Sequence, residues 1–134
     1  MAKLSKKELA KLAGNPYEED EQAAVFAWIR ANEHRCEALH YAYCSLGGIR
    51  LSMGLRVKAA KQGNRPGVLD IVIPARSADG EFCGLYIDIK RLKGSKTSAE
   101  QIEEVRWLRS QGYCADIRKG HDSAIALIKE YFQI

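Results

Sequence analysis

Val68-Leu69-Asp70-Ile71-Val72-Ile73-Pro74 and Gly84-Leu85-Tyr86-Ile87-Asp88-Ile89-Lys90 decide how this chain reads. Both are short apolar runs of the kind that form strands, and each is interrupted by an aspartate. Asp is disfavoured in strands, and an unpaired carboxylate among apolar neighbours is costly. Between the runs, Ser77-Ala78-Asp79-Gly80 is a turn with an Asp-Gly hairpin signal. Asp70 and Asp88 are equidistant from Asp79 along the chain. An antiparallel hairpin centred there sets the two carboxylates opposite each other on one face, with Cβ atoms about 4.5–5.5 Å apart. Like charges that close repel unless a cation lies between them, and oxygen-only ligands favour a hard ion such as Mg²⁺ or Mn²⁺. Lys90 lies two residues beyond Asp88, so it shares that face. The blander reading of the same residues is a structural Asp–Lys network at a strand end.

Outward from this hairpin, helical and strand patterns alternate. Residues 1–16 form a Lys-rich lead with a short helical look, ended by Gly14, Asn15 and Pro16. Residues 17–33 predict a helix, with Val25, Phe26, Trp28 and Ile29 at helical spacing behind an acidic first turn. Residues 38–44 predict a strand from the alternation of Leu39, Tyr41 and Tyr43. Residues 50–62 suggest a short helix with Leu51, Leu55 and Val57 inside. The strands are expected over 68–74 and 82–89, a helix over 99–111 stopping at Gly112, a strand over 113–117 and a closing helix over 121–132. The main elements run α-β-β-β-α-β-α, which predicts an α/β domain with a mixed β-sheet flanked by helices.

The size suits one such domain. The chain has 134 residues, 46% hydrophobic and 28% charged, enough to bury roughly two-thirds of the unfolded surface. Disorder throughout, collagen-like repeats and a membrane span are excluded, because no apolar run approaches the roughly 18 residues a span needs. The first residues lack an apolar core after their charges and do not read as a secretory signal.

Charge is more telling in its distribution than in its net value of +4. Residues 15–40 are acidic. Residues 41–69 contain Arg50, Arg56, Lys58, Lys61 and Arg65 and no acid, and Lys90, Arg91, Lys93 and Lys96 form a second basic cluster. Two basic segments on an otherwise neutral domain fit a polyanion partner, with a plain solvated surface as the alternative. The cysteines, Cys36, Cys44, Cys83 and Cys114, include no Cys-x-x-Cys pair, which predicts a reduced, intracellular protein. His34, Cys36, His40 and Cys44 offer four zinc-type ligands in a short span, but without the paired knuckles of zinc fingers.

In order along the chain, Gly67-Val68-Leu69-Asp70, Asp88-Ile89-Lys90, Ser98-Ala99-Glu100-Gln101, Trp107-Leu108 and Gly112-Tyr113 resemble the VRR-NUC branch of the PD-(D/E)XK nuclease superfamily, from about Glu18 to Phe132. The sequence departs from the family pattern at Leu69, where Pro is usual, at Asp88, where Glu is commoner, and at Ser45-Leu46-Gly47-Gly48, in place of a Pro-Asn-Gly-Gly type turn. The resemblance implies a restriction-endonuclease-like fold over 17–134. It implies that Asp70, Asp88 and the Ile89 carbonyl hold Mg²⁺ or Mn²⁺. It implies that Lys90 orients or deprotonates the attacking water and stabilises charge on the phosphate. An acid on the first helix usually completes such a site; Glu18 and Glu19 share a face with Gln22, Val25, Phe26 and Ile29. Gln101 carries two readings. Ser98-x-x-Gln101 is a capping box, whereas Thr97-x-x-Glu100 would cap one residue earlier and free Gln101 for the site.

The function so implied is a metal-dependent DNA endonuclease, selective for a structure such as a four-way junction or flap. Arg50, Arg56, Lys58, Lys61, Arg65, Arg91, Lys93 and Lys96 would contact phosphates. A homodimer would supply two sites, and the setting would be bacterial or phage-encoded. The competing readings are a non-catalytic nucleic-acid-binding module on the same scaffold and a zinc-stabilised interaction module.

Overall fold

The computed structural model describes residues 3–45 and 51–134. The elements are α1 (Lys6–Leu12), α2 (Glu18–Asn32), a 3₁₀ turn (Glu37–Tyr41), β1 (Tyr43–Cys44), α3 (Met53–Lys61), β2 (Ile71–Ile73), β3 (Leu85–Lys90), α4 (Ala99–Ser110), β4 (Cys114–Lys119) and α5 (His121–Phe132). The four strands form one sheet in the order β1-β2-β3-β4, with β4 parallel to β3 and the other pairs antiparallel. The expected mixed α/β architecture is therefore present.

Strand alternation divides the core. Leu85, Ile87 and Ile89 of β3 join Ile71 and Ile73 of β2 on one face, packed against Val25 and Ile29 of α2 and Ala124, Leu127 and Ile128 of α5. On the other face Leu69 and Ala115 meet Val105 and Leu108 of α4, with Tyr86 and Ile117 alongside. Each face buries several aliphatic side chains, each contributing about 1.5–3 kcal/mol.

Ile71 pairs with Ile87, Val72 with Tyr86 and Ile73 with Leu85. This is the register that, carried one step outward, sets Asp70 opposite Asp88. The regular strands are shorter than their apolar runs, because residues 74–84 form a connection with its own hydrogen bonds. Gly80 N–H donates to Ser77 O at 2.9 Å, as in the expected turn. Asp79 Oδ1 accepts from Ser77 Oγ at 2.6 Å and from Glu81 N–H at 2.9 Å.

Two expectations are corrected. The strand expected over 38–44 is a 3₁₀ turn followed by a two-residue β1. Only Leu39 of the alternating set is buried; Tyr41 and Tyr43 are exposed, so the alternation does not mark two faces of a pleat. In α3, Leu55 and Val57 are exposed and only Ala59 is buried. Both sheet faces are already covered by α2, α5 and α4, and α3 contributes to neither core cluster. Arg50 and the turn residues 46–48 lie outside the described residues.

Gly67 is fixed by its surroundings. Its φ is +89°, and a Cβ there would lie 2.8 Å from Glu100 Cβ and 2.9 Å from Glu100 C and O. The segment leading to Asp70 can thus pass the N-terminal turn of α4 only over a glycine. Gly67→Ala is expected to destabilise the fold by about 2–3 kcal/mol, read as a lowered midpoint in urea with an unchanged m-value.

Candidate active site

The site forms where β3 outruns β2. Tyr86, Asp88 and Lys90 alternate with the core-facing Leu85, Ile87 and Ile89, so the acid and the lysine emerge on the α4 side. Asp70 precedes β2 and reaches across the same face, where its Oδ2 accepts the Ile89 N–H at 2.9 Å. In an extended strand the N–H and C=O of one residue leave on the same edge. The Ile89 carbonyl therefore faces the edge occupied by Asp70, while Lys90 O turns to the other edge and accepts from Gly120 N–H at 2.9 Å.

All three charged groups are buried: Asp88 is 1%, Asp70 6% and Lys90 7% exposed. Burial, and then the neighbouring Asp88 charge, push the Asp70 carboxyl up to about 7. Burial also raises Asp88, against the pull of the neighbouring Asp70 carboxyl and of the Lys90 ammonium. The two carboxylates act as a coupled pair that resists full ionisation. Neither oxygen of Asp88 takes a well-aligned hydrogen bond, although Oδ2 lies 3.1 Å from Lys90 Nζ.

Lys90 is held from two sides. Its Nζ also donates to Gln101 Oε1 at 3.0 Å. The same Oε1 accepts Ser98 N–H at 3.1 Å, and Ser98 Oγ accepts Gln101 N–H at 3.1 Å. Ser98, not Thr97, is the N-cap of α4. The two readings of Gln101 therefore do not compete, because one amide oxygen closes the capping box and touches Lys90.

The first-helix acids are separated by tertiary contacts. Glu18 Oε1 accepts from Ser95 Oγ at 2.7 Å, and Ser95 Oγ in turn accepts Arg91 N–H at 3.2 Å. The Glu18 charge is close enough to raise both aspartates. Glu19 instead pairs with Lys7 at 3.0 Å, with its side chain 61% exposed. Ser95 had no signal in the sequence beyond membership of a polar loop; its role depends on a contact with a helix far away in the chain.

The donors suit a hard divalent ion. They are two mutually repelling carboxylates, one with both oxygens unsatisfied, and a backbone carbonyl. Among the described residues, no three side chains of His, Cys, Asp or Glu gather around one point. Glu18 thus stands near the aspartates, tied to Ser95, and does not close on them. The same fact counts against zinc at His34, Cys36, His40 and Cys44, where the 3₁₀ turn replaces the expected strand and His40 Nδ1 lies 3.5 Å from Glu33. The four cysteines are free.

The basic residues divide into two groups. Arg56, Lys58 and Lys61 on α3, and Lys93 and Lys96 in the β3–α4 loop, are exposed, with no side-chain partner among the described residues. Arg65 and Arg91 are already engaged. Arg65 grips Glu104 with two bonds of 2.6 and 2.7 Å. Arg91 donates to Pro16 O and Asn15 O and lies over the Tyr17 ring. Both side chains tie parts of the framework together.

A cavity of about 570 Å³ lined by Ser77, Phe82, Arg109, Tyr113 and Tyr131 lies elsewhere, by the start of β4.

No family model matches the chain, and no curated protein matches it. Among solved structures it is similar to a VRR_NUC domain protein. The likeness has 27% identity and a TM-score of 0.69, over 87% of this chain and 88% of that one.

Proposed function

We propose that this chain, which belongs to the VRR-NUC family, is a divalent-metal-dependent DNA endonuclease whose catalytic unit spans residues 17–134. The observation that carries the proposal is the opposed Asp70–Asp88 pair with Lys90 on the same face. A carboxylate pair that resists ionisation alone, beside a fixed ammonium, suits a cation on one side and phosphate charge on the other.

Asp70, Asp88 and the Ile89 carbonyl would hold Mg²⁺ or Mn²⁺, with Glu18 completing the set through a water. Such an ion polarises a phosphate and acidifies its water. Lys90, steered by Asp88 and Gln101, presents the cation that meets the phosphate's developing charge and orients the attacking water. Gln101 fixes the lysine rotamer and ties it to the start of α4. The free cations of α3 and of the β3–α4 loop supply salt-sensitive phosphate contacts. We assign the substrate as branched DNA, a four-way junction or flap, from the likeness to the VRR-NUC family, and recognition by shape because no helix among the described residues resembles a base-reading one. A homodimer would deliver the two cuts that a symmetric junction requires.

The test is cleavage of labelled single strand, duplex, flap and junction with Mg²⁺, Mn²⁺ or EDTA. Cutting of branched DNA that needs the metal is expected. Binding of DNA in EDTA with no cutting under either metal would leave a binding module instead. Gln101→Glu separates the two roles of that residue. Glu also completes a capping box, so stability should stay within about 1 kcal/mol of wild type. The added charge on Lys90 should slow single-turnover cleavage about tenfold or more.

A further inference from the structure

Beyond the acidic pair lies a pair of lysines that the linear sequence does not bring together. In the parallel β3–β4 ladder Lys90 is the partner of Lys119. Partners on neighbouring strands point to the same face, with backbones about 4.8 Å apart. Packing identifies that face: Tyr86 of β3 and Ala115 and Ile117 of β4 lie with Val105 and Leu108 of α4. Lys119 follows Ile117 by two residues, so it projects on the side that carries Asp88, Lys90 and Gln101. The lysine pair sits two residues past the Asp70–Asp88 pair, about 6.6 Å along the strands, close to the length of one nucleotide of backbone.

The two lysines differ in their partners. Lys90 is buried and matched by Asp88 and Gln101. Lys119 is exposed, and its side chain has no hydrogen bond or ion pair among the described residues. The acids nearest in sequence do not serve it. Asp116 is held by Arg118 at 2.9 Å and lies 3.5 Å from Arg109, and Asp122 lies beside His121. Like charges directly opposite on a sheet are destabilising, so an unmatched lysine facing another suits a position that an anion covers.

We infer that Lys119 binds a backbone phosphate of the nucleic acid, next to the phosphate presented to Asp70, Asp88 and Lys90. The inference rests on the nuclease reading and adds a contact from β4, a strand to which that reading assigned none. Lys119 is a phosphate-binding residue that positions the strand, with no part in bond cleavage.

The test compares wild type, Lys119→Ala, Lys119→Arg and Lys129→Ala. The probe is a fluorescently labelled four-way junction, and affinity is measured across a salt series in EDTA alongside steady-state cleavage with Mg²⁺. Lys129 is an exposed lysine on α5, packed on the other face of the sheet. Lys119→Ala should weaken binding about 5–10-fold, lower the slope of log affinity against log salt by about one, and raise KM with little change in kcat. Lys119→Arg should restore all three, and Lys129→Ala should change none. Unaltered affinity, slope and KM in Lys119→Ala, with a wild type that binds and cuts, would overturn the inference alone. A wild type that neither binds nor cuts DNA would overturn both it and the nuclease reading.

Discussion

Lys90→Ala should lower single-turnover cleavage at saturating metal by at least about 10³-fold, with DNA affinity within a few-fold of wild type. The size follows from how the ammonium is held. Lys90 is 7% exposed and fixed between Asp88 Oδ2 at 3.1 Å and Gln101 Oε1 at 3.0 Å, so water cannot replace its charge without reorganising the face. Lys93 and Lys96 are exposed in the following loop and cannot take over a position defined by strand β3. Asp70→Asn and Asp88→Asn should show losses of similar size, since each leaves one ionisable carboxyl where the proposed ion needs two. Because Lys90→Ala also leaves Asp88 buried without its cation, a folding check by circular dichroism belongs with the assay, and Lys90→Arg serves as the charge-preserving companion. Cleavage by Lys90→Ala within about tenfold of wild type would remove the lysine from the mechanism.

The same carboxylates that suit a metal should make the metal-free protein less stable, and Asp70→Asn should reverse this. Burial and the Asp88 charge raise Asp70 from 3.8 to about 7 in the folded protein. Between those values the native state holds a proton that the unfolded chain has released. Stability from this group is therefore complete below about pH 4, falls as pH rises to about 7, and is flat above. The full span corresponds to at most about 4 kcal/mol. In EDTA the thermal midpoint of wild type should be several degrees lower at pH 8 than at pH 5, relative to Asp70→Asn. The asparagine can still accept the Ile89 N–H, so the comparison isolates the charge. Added Mg²⁺ should raise the wild-type midpoint more at pH 8 than at pH 5, because binding then displaces fewer protons. Parallel pH profiles for the two proteins in EDTA would sink the argument.

The sequence by itself determined those features that local spacing encodes. Asp70 and Asp88 lie equidistant from an Asp-Gly turn, and the β2–β3 register set by that turn and by the buried apolar face brings them opposite each other. Period two placed Lys90 with Asp88, and helical period marked α2, α4 and α5. Tertiary structure decided whatever depended on distant segments meeting. Leu39, Tyr41 and Tyr43 alternate like a strand, but only Leu39 finds a core to fill. Leu55 and Val57 look like an inner helix face, but the layers that could cover them are already occupied. Glu18 and Glu19 are interchangeable by periodicity; Ser95 draws one toward the aspartates and Lys7 holds the other away. Lys119 faces Lys90 because α4 returns the chain for a parallel pairing, and no local pattern specifies the register of strands joined through a helix.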